Sequence, residues 1–467
     1  MRVSRALPVI GSLVFLTGCT VGPNYKRPVV NAPATFRGAT AGASNEPGAI
    51  SLGDEKWWNV FNDAQLQALI RTALQQNFEV QIAAARILEA QSQLTITRAS
   101  QFPVLNANAG VTGTRQPGVT GAFPAYSYVA DQLSLSASWN LDFWGRYRRA
   151  TEAARANLRS TEWGRRAIVS TLVENLAAAY FELRELDLEL DIARRTLASR
   201  QQSLELTRVL EQGGATSLVD VRQAEQLVEE AAGSIPDIER RVQQQENQIS
   251  TLLGANPGAI ARGLPLEQQP LPATIPAGVP SALLERRPDI QEAEQNLVAA
   301  NAEIGVARAQ LFPQISLTGS GGLESIGLSN LFAWSNRAWN FTGSAAQPLF
   351  NAGSLRANVR RTEAVQQQAL FAYEQNIQTA FREVSDSLVA YQKYRDYRGH
   401  QEALTFSAHE AADLSETRYR GGVASYLEVL TNETNYFAAE LNLARARLNE
   451  RLALVQIYNA LGGGWQQ

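Results

Sequence analysis

The chain is 467 residues long, with a formal net charge of −3 and 19% charged residues, fewer than the roughly 25% of an ordinary soluble domain. So balanced a charge offers no basic face to a polyanion, and nucleic acid is not expected as a partner. Two histidines, one cysteine and no glycine-rich phosphate loop with its lysine leave neither a protein-built metal site nor a nucleotide-driven enzyme in prospect.

Arg2 and Arg5 precede an apolar run from Leu7 to Leu16. That run is too short to span a membrane and has the pattern of a secretory signal. It ends in Leu16-Thr17-Gly18-Cys19, which resembles the bacterial lipobox. The resemblance implies cleavage of residues 1–18 and a covalent lipid on Cys19, the sole cysteine. Thr20 stands where a lipoprotein kept in the inner membrane typically carries aspartate. Residues 19–62 read as an extended segment, interrupted by Pro23, Pro28, Pro33 and Pro47 and meeting Trp57-Trp58 near its end.

Residues 63–254 form a first repeat. Leu66, Leu69, Ile70, Leu74, Val80, Ala84 and Leu88 make one apolar stripe, which predicts a single helix from 63 to about 101, stopped by Pro103. A hairpin over 103–142 follows. Leu105, Ala107, Ala109 and Val111 alternate with Asn106, Asn108, Gly110 and Thr112; Leu133, Leu135, Ala137, Trp139 and Leu141 alternate with Ser134, Ser136, Ser138, Asn140 and Asp142. Gly145 marks a bend. A helix then runs to about Gln212, on the order of 100 Å if straight. Leu172, Ala179, Leu186 and Ala193 recur at a spacing of seven, as do Leu176, Leu183, Leu190 and Leu197, the periodicity of coiled-coil packing. Gly213-Gly214 turns the chain, Ser217 is placed to cap the returning helix, and Pro236 predicts a kink or a restart within it.

After a proline- and glycine-rich linker, 255–288, the pattern recurs over 289–462, ahead of a short tail, 463–467. The second hairpin, 313–349, alternates Ile315, Leu317, Gly319, Gly321 and Leu323 with Ser316, Thr318 and Ser320, and then Trp339, Phe341, Gly343 and Ala345 with Asn340, Thr342 and Ser344. Gly421-Gly422 and Ser425 repeat the turn. Gly145 and Gly353 lie 208 residues apart, as do Gly213 and Gly421, Asp220 and Glu428, and Gly254 and Gly462. Each half is therefore a helix, a hairpin, a very long helix and a returning helix.

Strands of about ten residues, one face polar with hardly a charge and the other apolar, fit a transmembrane β-barrel. Four such strands cannot close one, and open edges are not tolerated in lipid, so several copies have to share the sheet. Two, three or four copies all give an even strand number. The long helices carry charges along their length and belong in water. No enzymatic constellation emerges. His400 and His409, nine residues apart, are not partners on a helix face. Arg286-Arg287-Pro288-Asp289 reads as a helix start, with proline at the first position and aspartate in the first turn.

Several motifs together resemble the outer-membrane efflux lipoproteins of the TolC superfamily. They are Leu16-Thr17-Gly18-Cys19 followed by Val21-Gly22-Pro23-Asn24-Tyr25-Lys26-Arg27-Pro28, Glu285-Arg286-Arg287-Pro288-Asp289-Ile290, Ile304-Gly305-Val306-Ala307 leading into Phe312-Pro313, Tyr419-Arg420-Gly421-Gly422-Val423-Ala424-Ser425-Tyr426-Leu427, and Leu461-Gly462-Gly463-Gly464-Trp465. The resemblance implies a TolC-like fold of class α plus transmembrane β, in which a homotrimer shares one twelve-stranded barrel, four strands per chain, continued by a long periplasmic α-helical barrel. It also implies an outer-membrane exit channel serving an inner-membrane resistance-nodulation-division pump through a periplasmic adaptor. The turns Gly213, Gly214 and Ser217, and Gly421, Gly422 and Ser425, become the adaptor-contact sites. The periplasmic gate, carried over by position, falls on Leu427, Thr431 and Thr434. Relatives place an acid and a base where this chain has Thr431 and Thr434, which argues against a latch through those two. Glu428 and Glu433, with Asp220 and Glu225 in the equivalent repeat, are the candidates for an acidic ring, and Leu427 for an apolar plug. Methionine occurs only at position 1, which favours organic solutes over soft metal ions as cargo; metal export and protein secretion are the alternatives.

Overall fold

The computed structural model describes residues 20–38, 51–118, 120, 124–272 and 275–466. Most of them are helical. A short helix Ala64–Gln76 (α1) and a longer one Phe78–Ala99 (α2) lead into strands Val104–Gln116 (β1) and Tyr126–Leu141 (β2). Helices Arg146–Gln212 (α3) and Leu218–Leu252 (α4) complete the first repeat. Pro288–Ala309 (α5), strands Gln314–Ser325 (β3) and Arg337–Ala346 (β4), and helices Ser354–Arg420 (α6) and Tyr426–Ala460 (α7) form the second. The two long helices have 67 residues each and the two returning helices 35 each.

Two sequence expectations change. The stripe from Leu66 to Leu88 predicted one helix, yet the chain breaks at Asn77, whose backbone is extended (ψ 129°). Its buried side chain accepts from the N–H groups of Glu79 (2.8 Å) and Val80 (3.2 Å) and donates to the Leu252 carbonyl (2.9 Å). An asparagine that caps the next helix offers the backbone an alternative to continuing, which hydrophobic spacing does not register. Conversely, α4 runs through Pro236 as one helix, so of the kink or restart expected there the restart does not occur.

The chain divides into two compact units, and neither is a sequence half. One takes Leu88–Arg159 and Gln295–Phe371 with the stretch up to Pro28; the other takes Val29–Ile87, Ser160–Glu294 and Ala372–Gln467. In the first, the strands form one antiparallel sheet in the order β1-β2-β3-β4. Its central pairing joins the two repeats, with Leu133 opposite Leu323 and Trp139 opposite Leu317. The polar face ties itself together through Asn108–Ser136 (3.0 Å) and Ser316–Ser344 (2.7 Å). The other face leaves Leu135 68%, Phe341 68% and Trp339 82% exposed. The described stretch after Cys19 is pinned to this unit. Buried Arg149 donates to Asn24 (2.7 Å), Asn301 to the Pro23 carbonyl (3.0 Å), and Gly22, at φ +103°, passes so close to Gly305 that an added Cβ would lie 2.5 Å from its Cα.

The second unit holds the main core, drawn from α1, α3, α4, α6 and α7 and including Leu66, Leu176, Leu183, Ile249, Val384 and Ile457. One buried carboxylate organises its start. Asp63 accepts from the N–H groups of Gln65 (2.8 Å) and Leu66 (3.1 Å), capping α1. It also accepts from Tyr180 of α3 (3.1 Å) and from Leu264 (2.9 Å) and Gln269 (2.6 Å) of the linker. Burial raises the Asp63 carboxyl, but the hydrogen bonds from Gln269 and three backbone amides outweigh it and hold it below its ordinary value. Its contribution is therefore present at neutral pH and lost as pH falls through that lowered value. Replacing Asp63 with alanine removes the cap and orphans buried donors, and is expected to cost about 3 kcal/mol. A chemical-denaturation midpoint unchanged in Asp63→Ala would refute this assignment.

Candidate functional site

The site expected from the sequence is the pair of turns joining the long and returning helices. Both use the same backbone device. Gly214 (φ +73°) and Gly422 (φ +70°) adopt the left-handed conformation just beyond the ends of α3 and α6. Ala215 then reaches back to the Leu210 carbonyl (2.8 Å), and Val423 to that of Arg418 (3.0 Å). These are C-terminal closures that glycine enters without the penalty a Cβ brings. An added Cβ at either glycine meets nothing within 4 Å, so conformation rather than space demands glycine there. Gly213 and Gly421 do not share the positive φ.

The polar groups differ between the turns. In the first, the Asp220 carboxylate accepts from the N–H (3.2 Å) and hydroxyl (3.2 Å) of Ser217 and from the hydroxyl of Thr216. Partial burial raises the Asp220 carboxyl, but these bonds outweigh it and hold it below its ordinary value. Glu225 lies between Arg208 (3.0 Å) and Arg222 (2.6 Å), whose hydrogen bonds hold it low as well. Both acids are thus engaged within their own helix pair. In the second turn, Ser425 occupies the cap position, but its hydroxyl makes no capping hydrogen bond, contrary to expectation. Glu428 pairs instead with Arg418 (3.1 Å).

Of the gate candidates, Leu427 is 57% exposed and free to meet a partner surface. Thr431 and Thr434 direct their hydroxyls back to the Leu427 and Leu430 carbonyls, 2.8 Å each. Glu433 is turned into the helix packing. Its Oε2 is buried without a hydrogen-bond partner, and burial pushes the carboxyl up to about 7.

The sequence did not single out what binds the turns together. A small second core of Leu204, Val221, Ala224, Tyr419, Tyr426 and Val429 lies beside them. Tyr419 and Tyr426 meet edge to face at 5.3 Å, and Tyr419 reaches Thr216 of the first turn (3.5 Å). The two tyrosines flank the glycine pair, a signal that could have been read; Arg200, buried under the same cluster, left none. Pro288 and Asp289 start a helix as expected, and Arg287 pairs with carboxylates beside it. It bonds Asp289 (2.6 Å), Glu383 (2.8 Å) and the Ala460 carbonyl (3.1 Å), and Pro288 opens α5. Cys19 lies outside the described residues. Among the described residues, no group of three or more acidic, histidine or cysteine side chains could hold a metal ion, and no helix is long and apolar enough to cross a membrane.

A four-stranded sheet with an apolar outer face, joined in duplicate to long charged helices, defines a channel-forming protein of the outer-membrane type. Comparison with known proteins gives the same class. The profile described as outer membrane efflux protein matches residues 69–255 and 279–463. The chain is 36% identical, over all of both chains, to the cation efflux system protein CusC of Escherichia coli O6:H1. It is also 36% identical to the toluene efflux pump outer membrane protein TtgC of Pseudomonas putida, over 97% of this chain and 94% of that one. Among solved structures, the open state of the Neisseria gonorrhoeae MtrE outer membrane channel superposes with a TM-score of 0.86 at 32% identity, covering 96% of this chain and 99% of that one. The chain belongs to the outer membrane efflux protein family, and its fold is that of the TolC-like outer-membrane channels.

The geometry of the turns predicts an effect confined to them. Gly214→Val or Gly422→Val forces a β-branched residue into a left-handed conformation, costing about 1–2 kcal/mol locally, in a place where nothing crowds the side chain. The expected outcome is intact, normally assembled protein by native electrophoresis, with efflux lost in a drug-susceptibility assay. Wild-type efflux in both variants would show that the turns are mere connectors.

Proposed function

We propose that this protein is the exit duct of a tripartite efflux system. It acts as a homotrimer whose twelve strands close one barrel in the outer membrane and whose long helices line a water-filled periplasmic passage. The observation that carries the reading is the sheet. Among the described residues β1 pairs only with β2 and β4 only with β3, so both outer strands present free backbone groups beside an apolar face. In hydrocarbon such groups have to be satisfied by another chain. Transport through the duct is passive, with energy supplied by an inner-membrane resistance-nodulation-division pump and transmitted by a periplasmic adaptor. The adaptor docks at the two turns, where Leu218, Val219 and Val423 are exposed beside the glycines. Cys19 carries the lipid anchor.

Cargo is read as small organic toxicants. The relatives do not divide on this point, since a cation system and a solvent pump match equally well. Composition supplies the preference: with Met1 the only methionine, the mature chain has no thioether ladder for soft metal ions.

Closure by other copies predicts a covalent species. A cysteine fixed at Thr342 of β4 and others scanned along β1 should give an inter-chain disulfide in one register, with a ladder that stops at three chains. A ladder ending at two or four chains would exclude the trimer. Mass spectrometry of the mature N-terminus is expected to show acylated Cys19; an unmodified cysteine there would remove the lipid anchor from the proposal without touching the barrel.

A further inference from the structure

Arg200, on α3, is only 1% exposed and heads the bulky side chains buried that completely. Its Nη1 donates to the Leu227 carbonyl (2.8 Å) and to Glu230 (3.3 Å) on α4. Its guanidinium lies over the Phe437 ring of α7, 5.2 Å from the centroid. Nε and Nη2 are buried and have no hydrogen-bond partner. One turn before Phe437, Glu433 presents the complementary defect, a buried Oε2 with no donor. The ionisable groups around Glu433 come from every neighbouring helix: Arg200 of α3, Glu416 of α6 and Tyr426 of α7, with Tyr419 of α6 beside Tyr426 and Glu230 of α4 on the far side of Arg200. Tyr426 is itself hydrogen-bonded to Ser203 of α3. Glu433 thus shares a helix face with the Phe437 ring that Arg200 covers, and a buried carboxylate oxygen with no donor is tolerable only when the carboxyl is uncharged. Arginine does not lose its proton, so the neutral partner is Glu433.

We propose that Glu433 and Arg200 form a proton-operated latch between α7 and α3. With Glu433 neutral the two side chains stand apart, as they do here. With Glu433 ionised, its carboxylate takes Nε and Nη2 of Arg200 in a two-pronged ion pair and holds α7 against α3. The sign follows from the surroundings. Burial pushes the Glu433 carboxyl up to about 7; Arg200 works against this and Glu416 with it. The separated arrangement binds the proton, so it prevails at acid pH and is lost as pH rises through about 7. The latch adjoins the residues read above as the gate, and only its consequence for conductance rests on that reading.

The test uses full-length protein in detergent with a Ser203→Cys reporter, located by peptide mass spectrometry after maleimide labelling. The labelling rate is divided by that of the same reporter in a Glu433→Gln background, which cancels the titration of the thiol itself. The ratio should fall about tenfold from pH 6 to pH 8, the fall in the neutral fraction of a group titrating near 7. Arg200→Lys, which keeps the charge but not the planar fork, should flatten that fall. A ratio constant between pH 6 and pH 8 overturns the latch, and a fall undiminished in Arg200→Lys overturns the ion pair. Planar-bilayer conductance is read separately. A falling ratio with pH-independent conductance supports the latch and counts against the gate reading alone.

Discussion

A peptide N–H or C=O in hydrocarbon has no water to turn to, and that single constraint shapes the membrane-facing part of this protein. Four strands satisfy each other across three antiparallel pairings and leave two edges open. On the apolar face Trp339 is opposite Gly321, and the Phe341 ring lies against Gly319, where an added Cβ would meet it at 3.8 Å. Serine and asparagine bond across the other face. The sheet thereby separates lipid from water across the thickness of one strand, and the charges on its apolar face, Arg115, Asp131 and Arg337, lie toward the hairpin ends of the strands. Its central pairing joins strands from different repeats, so neither half of the chain can build its portion of the wall alone.

The water-exposed helices meet the opposite problem. Their packing encloses charge, and several of the enclosed charges are answered by geometry. Arg287 bonds two carboxylates and a helix-terminal carbonyl. Glu189 is clamped by Arg241 (2.8 Å) and Arg445 (3.2 Å) from two other helices. Its neighbour Glu185 is pushed up to about 8, chiefly by burial and then by the Glu189 charge, so it is protonated at neutral pH and shares a hydrogen bond with it. A buried carboxylate pair of this kind keeps one negative charge where two would repel. Asp63 shows the other solution, an ionised carboxylate surrounded by donors from three segments of chain.

The duplication is close in backbone and loose in chemistry. The long and returning helices of the two repeats share a 208-residue offset and equal lengths, and the two glycine turns superimpose in conformation. The first turn nevertheless neutralises its acids internally, through Ser217, Thr216 and two arginines. The second leaves its cap serine unused, exposes Leu427 and buries Glu433 beside Arg200. Equal frames with unequal side chains leave buried groups without partners in both pairs, Arg200 in the first and Glu433 in the second.

Much of this fold was legible in the sequence because its signals are local. Alternation fixed the strands and which face is polar. The seven-residue spacing of Leu176, Leu183, Leu190 and Leu197 fixed the long helix, and paired glycines fixed its end. The repeat followed from spacing alone, and the family from motifs spread along the whole chain. What the sequence could not determine depends on where a side chain points once distant segments meet. Asn77 broke a continuous apolar stripe because its amide had both the next helix and the Leu252 carbonyl to bond. Asp63 became a hub through partners at 180, 264 and 269. Glu433 had the same spacing as any acid on a helix near the turn, and only the packing of α3 and α6 against α7 turned it inward and set it beside an arginine. Periodicity assigns a residue to a face; whether that face meets water, lipid or an opposite charge is decided by the neighbouring helix.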